Sequence, residues 1–379
     1  MYMNAPDKRC WAEVSPKNLL HNYYALRAAI PEGCRFLGVV KADAYGHGAV
    51  QAAALLEEAG ADYLAVACLD EALEVRAAGV KMPLLILGHT EAKYTRALIE
   101  NNITQAVTGL SEADGFSAAA QSAGGTLRVH MAVDTGMSRL GFLCTGGDFD
   151  RGVSELVRAS SLPNLNAEGV FTHFAVSDEP GEENEQYTRE QFRVFTAAID
   201  AASALGVRFK IRHCANSGAV LHYPEMALDM VRPGLLLYGY GDEEGKLGLR
   251  PCMRLMTRVL TVKTYAPGTT VSYGRRFTTQ HRTRMGVLGI GYADGLPRLC
   301  SNRFSTAFPS GMAPQRGSVC MDMCMIDLTE LPDVQPGDEA EIFGPSADLN
   351  ILSRAAQTIP YELLCSVSKR VPRVWKDFD

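Results

Sequence analysis

Between about residue 15 and residue 240, short apolar runs alternate with segments of helical periodicity eight times in succession. No other feature restricts the chain as much. Strands joined through helices cannot pair as hairpins and must form a parallel sheet. Candidate strands lie at Phe36–Val40, Tyr63–Ala67, Leu84–Leu87, Gln105–Thr108, Leu127–Val133, Ala167–Thr172, Phe209–Arg212 and Leu228–Val231. Ser15 as an N-cap and Pro16 at the first helical position announce the first helix, whose apolar face carries Leu19, Leu20, Tyr23, Leu26 and Ile30. An Ala-rich helix follows at about 49–59, and the longest one runs from about 184 to 205. Eight such units suit an α/β fold of the TIM type, a closed (β/α)8 barrel. An open doubly wound sheet alternates similarly, but no GxGxxG follows the first strand, which disfavours its dinucleotide-binding version.

The texture changes after Tyr238. A Gly-rich, charged stretch at 239–245 reads as a linker, and the remainder alternates apolar and polar residues between Gly/Pro turns, with helical patterning only at about 350–358. The expected domains are therefore a barrel over 10–241 and a mostly β C-terminal domain over 242–379, a division that suits 379 residues. The segment 10–14 precedes the first barrel helix and is a candidate to pair with the C-terminal sheet. With 37 Lys plus Arg against 43 Asp plus Glu, the net charge of −6 offers no basic field for nucleic acid or anionic lipid. The ten cysteines are scattered, without CxxC or a His cluster, so no metal is expected and the thiols read as reduced and mostly buried. The N-terminus lacks the apolar stretch of a secretory signal, and no apolar run approaches the ~18–20 residues that span a bilayer. A cytoplasmic protein with no membrane partner is expected.

Reactive residues of a (β/α)8 barrel sit where strands end. The first strand ends GVVKADAYGHG, where Lys41 is the first charge after an apolar run. A lysine there is partly desolvated, which favours Schiff-base chemistry, although a lone strand-end lysine more often simply snorkels. The fifth ends VHMAVDTGMSRLG, with Arg139 in a tight loop, and the sixth ends GVFTHFAVSDE, with His173 at the rim. The seventh ends IRHCANSGA, so that Asn216, Ser217 and a helix N-terminus could form a phosphate site. The eighth ends DMVRPGLLLYG, with Arg232 beside a Pro-Gly turn. A rim lysine facing a phosphate cup points to pyridoxal 5′-phosphate (PLP).

These segments together resemble the alanine racemase family, barrel-type (fold type III) PLP enzymes. The resemblance runs from about Trp11 to Trp375, through VVKADAYGHG, DTGMSRLG, THFAVSDE, CANSGA, VRPGLLLYG, VSYGRRF, IGYADG, GSVCMDMCMID and PYELLCSVSKRVPR in order. It implies that Lys41 holds the cofactor as a Schiff base, that Tyr45, Ser217, Tyr361 and the backbone of Gly234 and Leu235 hold its phosphate, and that Arg139 faces its phenolic oxygen and Arg232 its ring nitrogen. Asn216 and His173 complete the implied cofactor site. Tyr273 matches the second catalytic residue, Met321 and Asp322 complete the substrate pocket with Arg139, and Tyr292 joins Tyr361 in narrowing the passage to it. In the family, Tyr273, Met321 and Asp322 come from the other subunit, which implies a homodimer with shared active sites acting on a small amino acid.

The implied reaction is interconversion of L- and D-alanine by two bases, Lys41 for the D-enantiomer and Tyr273 for the L-enantiomer. Tyrosine, with an ordinary pKa near 10, needs cationic help, which a chain through His173 and Arg232 could supply. One departure stands out: much of the family has a carbamylated lysine bracing the loop arginine, and this chain has Ala132. A bound anion or a neighbouring side chain is expected in its place. The open alternatives are a serine or mixed serine/alanine racemase, a barrel-type PLP decarboxylase, and a non-catalytic PLP-binding protein. Tyr361, a bulky residue at the pocket, favours alanine over serine, and D-alanine supply for cell-wall synthesis is one role such an enzyme fills.

Overall fold

The computed structural model describes residues 8–242 and 244–378. Residues 1–7, Glu243 of the expected linker, and Asp379 lie outside the described residues. The first strand, β1 (Cys10–Val14), belongs to the C-terminal sheet. Eight parallel strands follow: β2 (Arg35–Val39), β3 (Tyr63–Val66), β4 (Leu84–Ile86), β5 (Ile103–Val107), β6 (Leu127–Asp134), β7 (Leu165–Phe171), β8 (Ile211–His213) and β9 (Met230–Val231). They pair in the order β9-β2-β3-β4-β5-β6-β7-β8. Two hydrogen bonds join the ends of that row: Asp229 N donates to Arg212 O at 3.0 Å and Arg232 N to Ala215 O at 2.8 Å. The result is the expected barrel, each strand within two residues of its expected position. Strands covered on both faces must be apolar throughout, and β3 and β4 are buried at every residue.

The helices obey their local signals. Ser15 Oγ accepts from Asn18 N at 3.1 Å at the start of Pro16–Ala29. Glu182, Glu183 and Glu185 occupy the first turn of Glu182–Ala204, where the helix dipole favours negative charge.

The C-terminal sheet adds β10 (Met253–Tyr265), β11 (Thr283–Leu288), β12 (Ser305–Phe308), β13 (Gly311–Arg316), β14 (Cys324–Asp327), β15 (Glu339–Phe343) and β16 (Arg373–Trp375). The order is β11-β14-β13-β12-β15-β10-β1-β16, and β11 also pairs with β10, so six strands close on themselves. The 13-residue β10 serves both sides of that closure because register irregularities, at Leu255/Met256 and Val259/Thr261, bend it. β1 lies between β10 and β16, with Cys10 opposite Thr257 and Ala12 opposite Arg373. The helix expected at about 350–358 is Leu349–Ala356; a second, Pro360–Ser366, was not foreseen.

The described residues form two compact units. One contains residues up to Leu19, the stretch Tyr45–Gly48 and the chain from Arg250 onward; the other contains Leu20–Ala44 and Ala49–Leu249. The chain thus passes between units at 249/250, eight residues beyond the expected 241/242. The intervening turn is tied to the barrel unit: the Asp242 carboxylate accepts from Lys246 N and Leu247 N at 2.8 Å each, and His21 Nε2 on the first helix lies 3.0 Å from Gly248 O. Tyr45–Gly48 joins the β unit because Arg373 Nε donates to Gly46 O at 2.8 Å and Gly46 packs against Leu364 O, where a Cβ would sit only 2.3 Å away. Seven of the ten cysteines are buried. No helix among the described residues is long and apolar enough to cross a membrane.

Candidate active site

Lys41 opens a turn of unusual hand. Ala42, Asp43, Ala44 and Tyr45 have φ of +52°, +54°, +54° and +53°, a left-handed stretch without glycine that costs roughly 1–2 kcal/mol per residue. Glu71 from the neighbouring βα unit and Asp43 within the turn fix it. Glu71 Oε1 accepts from Ala42 N and its Oε2 from Ala67 N, both at 2.7 Å, while Asp43 Oδ1 accepts from Ala49 N at 2.8 Å. Strain of this size persists only where the surroundings over-determine it, and it concentrates at functional sites.

Arg232, after β9, is 4% exposed, and none of its hydrogen bonds among the described residues goes to a carboxylate. Its guanidinium donates to His213 Nδ1 at 2.9 Å, to Thr172 O at 2.8 Å and to Cys214 O at 3.1 Å, and lies 3.4 Å from His173 Nδ1. Because arginine only donates, His213 Nδ1 must accept, which leaves its Nε2–H to donate to His130 Nδ1 at 2.8 Å. His130 Nε2 in turn lies 3.7 Å from Glu168 Oε1. Burial pulls His213 far below the ordinary imidazole range and brings Arg232 down to about 10. His173 falls to about 3, first through burial and then through the charges of Arg232, Arg139 and Lys41.

Around them, Asp134 Oδ1 shapes the β6 loop by accepting from Gly136 N at 2.9 Å and Ser138 N at 3.0 Å, which leaves Arg139 exposed at the rim. Ala132 packs in an apolar cluster with Ala106, Phe171 and Leu87. Ser217 Oγ accepts from Gly234 N at 2.9 Å and Leu236 N at 3.4 Å, gathering a hydroxyl and the backbone after Arg232 in one place. Asn216 Oδ1 caps the helix Ser217–His222 by accepting from Ala219 N at 3.0 Å and also accepts from Ser177 Oγ at 2.7 Å, so that its carbonyl holds the turn. The donor set fits PLP: a buried cation lacking a charge partner suits an uncharged ring nitrogen, and clustered hydroxyl and N–H groups suit a phosphate.

In the other unit, the rings of Tyr45 and Tyr361 stand 5.8 Å apart, and burial pushes the Tyr45 phenol up. Tyr273 opens a short turn, 70% exposed. Its position is locked from behind by Ser318 Oγ, which donates to Tyr273 O, and by Ser272 Oγ, which donates to Ser318 O, both at 2.7 Å. Tyr292 N donates to Cys320 O and Ala293 N to Met321 O, each at 3.0 Å, which joins the Tyr292 loop to the Met321–Asp322 loop.

The groups behind the site carry no mark in the sequence. His130 lies inside β6 and His213 is the last residue of β8, and only the geometry aligns them with Arg232. Gln191, buried on Glu182–Ala204, was missed too. It donates to His173 O at 3.1 Å and accepts from Ala175 N at 2.9 Å, fixing the loop that presents His173.

Residues 14–242 match the family described as alanine racemase, N-terminal domain, and residues 252–375 match alanine racemase, C-terminal domain. An alanine racemase of Desulfovibrio desulfuricans is 42% identical over 373 residues, covering 97% of this chain and 98% of that one. Among solved structures, alanine racemase of Clostridium difficile 630 superposes with a TM-score of 0.91 at 35% identity, covering 98% of this chain and 96% of that one. The alanine racemase of Bartonella henselae, solved with covalently bound pyridoxal phosphate, gives 0.87 at 26% identity, covering 97% and 100%.

Proposed function

The chain belongs to the alanine racemase family and interconverts L- and D-alanine with PLP as cofactor, and from that premise we propose that Lys41 and Tyr273 are its two proton-handling groups. The cofactor supplies an electron sink that makes the substrate's Cα proton removable. Racemisation then needs a group on each face of Cα. Lys41 Nζ takes or returns the proton on the face used by the D-enantiomer, and Tyr273 Oη does so on the opposite face. A phenol acts as a base only where cations lower its ordinary pKa near 10. Arg232 provides the charge, and His173, neutral and 3.4 Å from it, relays the polarity.

The observation that carries this reading is the buried Arg232 where a carboxylate would serve decarboxylation. Even at about 10 its guanidinium keeps its proton, so it offers a ring nitrogen a hydrogen bond without protonating it. The sink stays weaker, which disfavours decarboxylation and transamination. Tyr45, Ser217, Tyr361 and the N–H groups of Gly234 and Leu235 are proposed to hold the phosphate, with Arg139 at the phenolic oxygen and Asn216 holding the turn. Met321, Asp322 and Tyr292 are proposed to line the substrate pocket and its passage.

A homodimer with shared sites is part of the proposal. Tyr273 and Met321 are 70% and 53% exposed on the described chain, and a phenol in bulk water has no cation to make it a base. The partner subunit's barrel supplies that surrounding. The compartment is proposed to be the cytoplasm, where D-alanine enters wall precursors. A racemisation assay over a panel of L-amino acids, with chiral analysis of products, tests the reading: L-alanine should turn over fastest, and faster turnover of serine or release of carbon dioxide would overturn it. Tyr361→Asn should raise serine turnover relative to alanine by roughly tenfold, the scale of a single pocket contact. An unchanged ratio would remove Tyr361 from the pocket.

A further inference from the structure

A buried carboxylate in the β unit ties together segments that the proposed function assigns to the substrate passage. Asp294 is fully buried, two residues after Tyr292. Its Oδ1 accepts from Arg9 Nη2 and from Arg370 Nε, both at 2.7 Å, and its Oδ2 accepts from Gly291 N at 2.9 Å. The two arginines then reach onward. Arg9 Nη1 donates to Gly289 O at 2.6 Å and to Asp322 O at 2.8 Å, while Arg370 Nη2 donates to Asp322 Oδ1 at 2.8 Å.

The contacts leave little slack. Gly291 lies so close to the 320–322 segment that a Cβ there would sit 2.3 Å from Cys320 O. Asp294 O also accepts from Ser368 N, and Gly295 O from Ser366 Oγ, each at 3.1 Å, which connects the same clamp to the helix bearing Tyr361. A rigid, buried base thus carries exposed tips, with Tyr292 at 42% and Met321 at 53% exposed.

We infer that Arg9 and Arg370, through Asp294, are positioning residues that set the placement of Tyr292 and Asp322 and so govern substrate access. The inference rests on the reading of Tyr292 and Asp322 as passage and pocket residues. Neither arginine touches the reacting atoms. Arg9 is the more telling of the two, because it comes from the N-terminal arm and makes its bidentate reach only as a guanidinium. A lysine can pair with Asp294 but cannot span Gly289 O, Asp322 O and the carboxylate together.

The test uses PLP-loaded full-length enzyme carrying Arg9→Ala, Arg9→Lys or Arg370→Ala, with Tyr292→Ala as reference. Arg9→Ala and Arg370→Ala should each raise KM for both alanine enantiomers about tenfold while kcat changes less than threefold. Arg9→Lys should recover part of the loss, and the visible absorbance of the bound cofactor should be unchanged. A lower melting temperature with unchanged KM would reduce the clamp to a structural brace and overturn the inference, as would a fall in kcat at constant KM. If Tyr292→Ala itself leaves KM unaltered, the passage reading fails. If Tyr292→Ala raises KM and the arginine variants do not, the clamp alone fails. Should Arg370→Ala not fold, Arg9→Ala still decides, since Arg370 then continues to pair with Asp294.

Discussion

Lys41→Ala abolishes racemisation in both directions, a loss of at least about a thousandfold, together with the visible absorbance of the lysine-bound cofactor. The size follows from two roles meeting in one atom, since Nζ both anchors the cofactor and handles a proton. The fold should survive. The strained left-handed residues are 42–45 and not residue 41, and Glu71 and Asp43 hold that turn through backbone N–H groups and carboxylates that the substitution leaves in place. The melting temperature of the cofactor-free protein is therefore expected to stay within a few degrees of the parent. Absorbance spectroscopy beside a racemisation assay checks the prediction. A persistent visible band would mean that another amine holds the cofactor.

Tyr273→Phe lowers racemisation in both directions by a hundredfold or more, within the usual range for a lost acid–base group of about 10²–10⁴. A full turnover needs both faces of Cα, so neither direction escapes. Isotope exchange without racemisation separates the bases. In deuterated water the variant should still exchange the Cα hydrogen of D-alanine, which Lys41 handles, while exchange from L-alanine falls with racemisation. Equal loss of exchange from both enantiomers would contradict the assignment of one base to each face. The backbone around residue 273 is locked by Ser272 and Ser318, which the substitution leaves untouched.

Both residues were legible in the sequence, for different reasons. Lys41 stands out as the first charge after a buried strand, and a strand covered on both faces declares itself as an apolar run. Arg232 and Ser217 were found in the same way, at strand ends. Tyr273 has no such marker and was reached only through family resemblance. The left-handed turn after Lys41 was not legible, because four non-glycine residues adopt it under constraint from Glu71, 29 residues beyond Ala42. The imidazole chain behind Arg232 joins His130 inside β6 to His213 at the end of β8, a pairing that no local pattern records. The Asp294 clamp draws Arg9 from 285 positions away and Arg370 from 76, distances over which no local pattern extends. The grouping of Tyr45–Gly48 with the β unit was equally invisible, since it depends on Arg373 and on the absence of a Cβ at Gly46.

Subunit complementation tests the central claim, that each site combines Lys41 of one protomer with Tyr273 of the other. Lys41→Ala and Tyr273→Phe homodimers are separately almost inactive. Exchanged at equal concentration, about half of the dimers become hybrids, each with one doubly altered site and one intact site, in the geometry of a two-fold dimer. The account predicts recovery of about a quarter of parental activity, rising with the fraction of hybrid. Activity that stays at the level of the two parents after demonstrated subunit exchange would contradict it, because Tyr273 would then serve the site of its own chain.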